Sequence, residues 1–74
     1  MKLSEKELMA IGARISAERK RQGLTQDRLA TMLGYTSHSY LSNVERGKKK
    51  PSLNMLYGLS EIFEVEVDYF LTKL

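Results

Sequence analysis

The chain has 74 residues, with twelve basic and nine acidic side chains, a formal net charge of +3 and no cysteine. That length admits one domain, over residues 1–74, whose core is marginal unless its elements pack well or the chain oligomerises. The lack of cysteine excludes disulfides and thiolate metal sites, and no segment has the make-up of a signal peptide or a membrane span, so the chain reads as cytoplasmic with no membrane role.

Ser4 with Glu7 three residues on forms a capping-box pattern, which predicts a first helix over about 5–21 with Leu8, Ile11 and Ile15 inward and Gly23 as its stop. Thr25 is a good N-cap for a second helix, and Gln26 projects from that helix's N-terminal end. Leu29, Ala30 and Leu33 recur at helical spacing, and Gly34 follows as the stop signal. A third helix must start soon after, with Thr36 or Ser37 as N-cap, Leu41 and Val44 on its inner face, and Gly47 at its end. Its other face carries Ser39, Tyr40, Ser42, Asn43 and Arg46. That face is polar without being strongly charged, which suits a surface offering donors and acceptors to base edges. Pro51-Ser52 opens a fourth helix whose apolar stripe is Leu53, Leu56, Leu59, Ile62 and Phe63. A short fifth helix from about Val67 holds Phe70 and Leu71.

Charge is unevenly placed along this order. Residues 14–50 hold nine basic groups against three acidic, a net +6, whereas residues 51–74 carry a net −3. A polyanion would meet the first two thirds of the chain. On charge alone Lys48-Lys49-Lys50 is equally a solvated loop, but its place directly after the third helix favours phosphate contact, because positioning contacts flank the element that enters a groove.

A threonine-glutamine helix start, a glycine break, a second short helix and a glycine-lysine loop together form the signature of a DNA-binding helix-turn-helix, here over about residues 25–46. Thr25-Gln26, Gly34, Ser42, Glu45, Gly47, Pro51 and Ser52 fall at the spacing of the phage-repressor (Cro-like, XRE-type) family, which the chain resembles from about Ile11 to Leu71. The resemblance implies an all-α, lambda-repressor-like bundle of five helices. It also implies a partly buried ion pair between Arg19 and Glu45. Four positions depart from the family pattern: the Gly34–Leu41 stretch is one residue longer, Glu18 stands where an apolar residue is usual, Arg28 replaces a capping-box glutamate, and Glu64 replaces a C-terminal glycine.

The function so implied is sequence-specific binding of double-stranded DNA by a transcriptional regulator, read as a repressor, with the third helix in the major groove of a palindromic operator. Arg46, Lys48 and Lys49 are then expected on phosphates, and His38, Ser39 and Asn43 on bases. Gln26, Ser37, Tyr40 and Ser42 are helpers. Tyr69, Phe70, Leu71 and Leu74 place much apolar surface in the last six residues, which points to a homodimer through the fifth helix and chain end with part of the fourth. Phe70 and Leu71 equally serve as closure of the monomer core.

His38, the single histidine, has three open readings: DNA contact, exposed loop residue, or structural group. It lacks partners at ligand-like spacing for a metal site. No base–nucleophile pairing, phosphate loop or room for a substrate pocket is evident, so no enzyme and no cofactor are expected. Two alternatives stand beside the repressor. One is an antitoxin-type module whose partner is a protein, with DNA secondary; the other is the controller of a restriction-modification operon.

Overall fold

Ser4, Thr25 and Ser52 each accept a hydrogen bond from the amide three residues ahead, at 3.0 Å, and a helix starts behind each of them. The computed structural model describes residues 2–72. Five helices follow in order: α1 (Glu5–Arg21), α2 (Gln26–Met32), α3 (Ser39–Glu45), α4 (Leu53–Phe63) and α5 (Asp68–Leu71). At Ser4 the capping box is complete, since Glu7 accepts the Ser4 amide in return. Thr25 caps without that reciprocal bond, Arg28 standing where the glutamate would be.

One C-terminal motif recurs. After α2, Gly34 donates to the Thr31 carbonyl and Tyr35 to that of Ala30, the paired bonds of a Schellman end, with Gly34 at φ +89°. Equivalent bonds follow α1 at Gly23 and α3 at Gly47. After α4 the left-handed place falls to Glu64, at φ 58°. A Cβ there crowds the next carbonyl, so the helix is closed at a backbone cost that glycine avoids.

The interior joins all five elements: Ile11 and Ile15 of α1, Leu29 and Ala30 of α2, Leu41 and Val44 of α3, Met55, Leu56, Leu59 and Phe63 of α4, and Phe70 of α5. Burying each large side chain contributes roughly 1.5–3 kcal/mol. Leu53 departs from the expected stripe. It occupies the first helical position of α4 and is 63% exposed, while Met55 is turned inward. Leu8 is only half-buried.

The tightest crossing is α1 on α3. A Cβ built on Gly12 would lie 2.3 Å from the Val44 carbonyl oxygen and 2.6 Å from that of Glu45. Only a residue without a side chain lets the two backbones meet there. The end of α3 is thereby fixed in depth against α1.

Glu18 is 4% exposed and faces a cluster of partners. Arg21 binds its carboxylate, Gln22 Nε2 donates at 2.9 Å, and the Tyr69 hydroxyl donates from α5 at 3.4 Å. The Arg21 hydrogen bond, and after it that of Gln22, lower the Glu18 pKa from 4.5 to about 2. Arg14 of α1 also ties down α5, donating to the carbonyls of Phe70 at 3.2 Å and Thr72 at 2.5 Å.

Candidate nucleic-acid interface

Glu45, at the last turn of α3, gathers three donors. Arg19 Nε and Nη2 reach its two oxygens at 2.7 and 3.0 Å, and Gln26 Nε2 donates to Oε1 at 3.0 Å. Arg19 Nη1 also donates to the Leu24 carbonyl at 2.7 Å. The side chains of Arg19 and Glu45 are 11% and 4% exposed, so the pair is largely withdrawn from water. A bidentate arginine–carboxylate pair is directional. It joins α1, the segment before α2, the first residue of α2 and the end of α3 in one unit.

Gln26 therefore stands half-buried with its amide nitrogen turned to Glu45. Tyr40 is also engaged within the chain. Its hydroxyl donates to the Lys50 carbonyl at 2.6 Å and accepts from the Ser52 amide at 2.8 Å, and its ring meets that of Tyr35 edge-on at 5.7 Å. One phenol thus holds both the lysine loop and the start of α4 against α3. Tyr40 is a clamp for the loop, a role that its place among polar residues on α3 does not announce.

On the outer side of α3, Ser39 is exposed while Ser42 and Asn43 are half-buried. Asn43 Oδ1 accepts from Arg46 Nη2 at 2.8 Å, which sets the two side chains side by side. Arg46, Lys48, Lys49 and Lys50 are all exposed immediately beyond. The helix starts later than Thr36 or Ser37 would place it, for the N-cap is His38 and no side chain caps it. Ser37 Oγ instead accepts from the Ser39 amide at 3.3 Å, a local turn bond that competes with capping. His38 Nδ1 donates to Asp27 Oδ1 at 2.5 Å, so the longer turn is tied back to α2.

The basic count of the sequence needs trimming. Arg14, Arg19 and Arg21 serve α5, Glu45 and Glu18 respectively. The cations exposed on and beside the helix pair are Arg28, Arg46 and Lys48–Lys50. A hollow of about 320 Å³ lies between the start of α1 and the loop after α3, lined by Glu5, Leu8, Met9, Arg46, Gly47 and Lys48. It is a shallow, open hollow at the small end of ligand-site volumes.

At the other end of the molecule, Phe70 is wholly buried, packing on Phe63 and Tyr69 with ring centres at 6.3 and 5.4 Å. It belongs to the core and is unavailable as an interface residue, which corrects its placement on the expected dimer face. Tyr69 and Leu71 are 46% and 36% exposed, and Leu74 lies outside the described residues. Among the described residues no helix is long and apolar enough to cross a membrane.

A helix-turn-helix family model matches residues 15–70. The HTH-type transcriptional regulator PuuR of Escherichia coli is 34% identical over 65 residues, covering 88% of this chain and 35% of that protein. The chain spans about a third to a half of the length of the curated relatives first matched, 35% for PuuR and 50% for the regulator ImmR of Bacillus subtilis. Among solved structures, the restriction-modification controller protein C.AhdI of Aeromonas hydrophila superposes with a TM-score of 0.80 at 31% identity, over 88% of this chain and 97% of that one. The P22 c2 repressor protein, in complex with a synthetic operator, superposes with a TM-score of 0.77 at 34% identity, over 84% and 92%.

Proposed function

The chain belongs to the phage-repressor type of helix-turn-helix family, and from that premise we propose that it binds double-stranded DNA sequence-specifically and regulates transcription as a repressor. The observation that carries this reading is the surface made by α3 and the loop after it. Donor and acceptor side chains at Ser39, Ser42 and Asn43 lead directly into four exposed cations, Arg46, Lys48, Lys49 and Lys50. The P22 c2 repressor, of like fold, is a protein solved on an operator. In this reading α3 enters the major groove and α2 crosses the backbone. Asn43, Ser39 and His38 meet bases, Arg46, Lys48 and Lys49 meet phosphates, and Ser37 and Ser42 assist. Gln26 and Tyr40 act chiefly by holding α3 and the lysine loop in place. The activity is binding alone, without catalysis, and its setting is the cytoplasm.

One domain offers few base contacts, so the binding species is a homodimer on a two-fold site, formed through α5 and part of α4. Exposed Tyr69 and Leu71, with Leu53 and Tyr57 one turn apart on α4, support that surface. Sedimentation at micromolar concentration is expected to give a dimer, and a monomer with and without operator DNA contradicts it. A second reading, control of a restriction-modification operon, is favoured by the likeness to C.AhdI, nearly all of whose chain is matched. Both readings share one test. Selection of bound duplexes from a random pool is expected to enrich a palindromic site, and failure to enrich any sequence contradicts them.

A further inference from the structure

His38 is the N-cap residue of α3, yet its side chain does no capping. It reaches across the turn to Asp27 of α2, with Nδ1 2.5 Å from Oδ1. A carboxylate only accepts, so the ring proton of neutral His38 is held on Nδ1 and its tautomer is fixed. The remaining polar atom, Nε2, is then an acceptor. Half of the His38 side chain is open to solvent, at the N-terminal end of the helix assigned to the groove. First-turn residues of such a helix are the ones that reach base edges.

We propose that Asp27 is a positioning residue that orients His38 and fixes its tautomer, so that Nε2 selects a base presenting an amino group in the major groove, adenine through N6 or cytosine through N4. The assignment rests on the DNA-binding reading above. Without Asp27 the ring is free to turn and to exchange tautomers, and Nε2 becomes donor or acceptor indifferently. Asp27 itself, 79% exposed and acidic beside a polyanion, makes no favourable phosphate contact. Its contribution is to aim the histidine.

Two measurements on the full chain at about pH 8, above the ordinary imidazole range, decide it. Nitrogen-15 NMR reads the tautomer without ambiguity, because His38 is the single histidine. The wild type is expected to hold the proton on Nδ1, and Asp27→Ala to show a mixture of tautomers. Binding is then measured on the enriched duplex and on duplexes changed one position at a time. The wild type is expected to prefer adenine or cytosine about fivefold at one position in each half-site, the worth of one neutral hydrogen bond. Asp27→Ala and His38→Ala should both flatten that position and leave the others, with Asp27→Glu restoring part of the preference. A mixed tautomer in the wild type overturns the assignment, as does a uniform loss on all duplexes. A wild type that enriches no duplex overturns the DNA reading and this assignment together. An unchanged profile for Asp27→Ala beside an enriching wild type overturns this assignment alone.

Discussion

The first three helices add directional polar contacts to the core that all five share, whereas α4 is held by apolar burial. In α1–α3 a buried arginine–glutamate pair, a glutamine amide and a glycine-wide backbone crossing all converge on the end of α3. In α4–α5 the buried groups are Met55, Leu56, Leu59, Phe63 and Phe70, with Val65 and Val67 packed alongside, and the polar ties are confined to α5, at Arg14 and Glu18 of α1. Hydrogen bonds and close backbone approach fix orientation; an apolar interface fixes burial and tolerates small shifts. The surface of α3 that the DNA-binding reading uses thus lies in the half held by directional bonds.

Breaking the polar half gives the largest expected effect. Glu45→Ala leaves Arg19 withdrawn from water without its carboxylate, at a cost of about 3–5 kcal/mol in urea unfolding. Replacing both partners by apolar residues, as in Arg19→Met with Glu45→Leu, should recover much of that loss while leaving α3 less firmly oriented. Equal losses for the single and double variants would show that the cost comes from losing the pair itself and not from an orphaned Arg19 charge. Next comes Gly12→Ala, whose methyl group meets backbone carbonyls at 2.3 and 2.6 Å. It should cost about 1–3 kcal/mol and push α3 outward. A neutral thermal-unfolding result would contradict the crossing.

The apolar half is expected to gain from a change that the polar half already contains. Glu64→Gly removes a Cβ from the left-handed position, and the gain should be about 1 kcal/mol, reduced by the added freedom of the unfolded chain. Unfolding with no gain would mean that Glu64 has compensating contacts. The smallest effect is confined to acid. Glu18 titrates near 2 in the folded chain against 4.5 as its ordinary value, so its contribution is complete above about 4.5 and is lost as pH falls through about 2. Glu18→Gln should flatten the stability profile in that window, and an unaltered acid limb contradicts the assignment.

Much of this division is legible in the sequence because local rules dictate it. Ser4, Thr25 and Ser52 start helices, and Gly23, Gly34 and Gly47 stop them, through bonds spanning three to five residues. The core positions Ile11, Ile15, Leu29, Leu41, Val44, Leu59 and Phe63 follow from helical periodicity in the same way. Contacts across the fold are less visible. Nothing in the Tyr40 environment along the chain says that its hydroxyl closes on Lys50 and Ser52, and nothing marks Asp27 as the partner of His38 eleven residues on. α3 starts one residue later than an N-cap at Ser37 would place it, because Ser37 has two uses for its hydroxyl and the local turn prevails. Phe70 looks alike from sequence whether it closes a core or a dimer, since hydrophobicity gives burial without naming the surface that covers it.

The central claim is that α3 reads bases while the loop after it holds phosphates. Asn43→Ala and Lys48→Ala separate the two when affinity is measured against salt concentration on the enriched duplex and on a scrambled one. Lys48→Ala is expected to weaken both duplexes alike and to lower the salt slope by about one for each phosphate contact removed. Asn43→Ala should leave the scrambled duplex and the slope unchanged while costing on the order of 1–3 kcal/mol on the enriched site. Equal losses on both duplexes for Asn43→Ala would contradict the account.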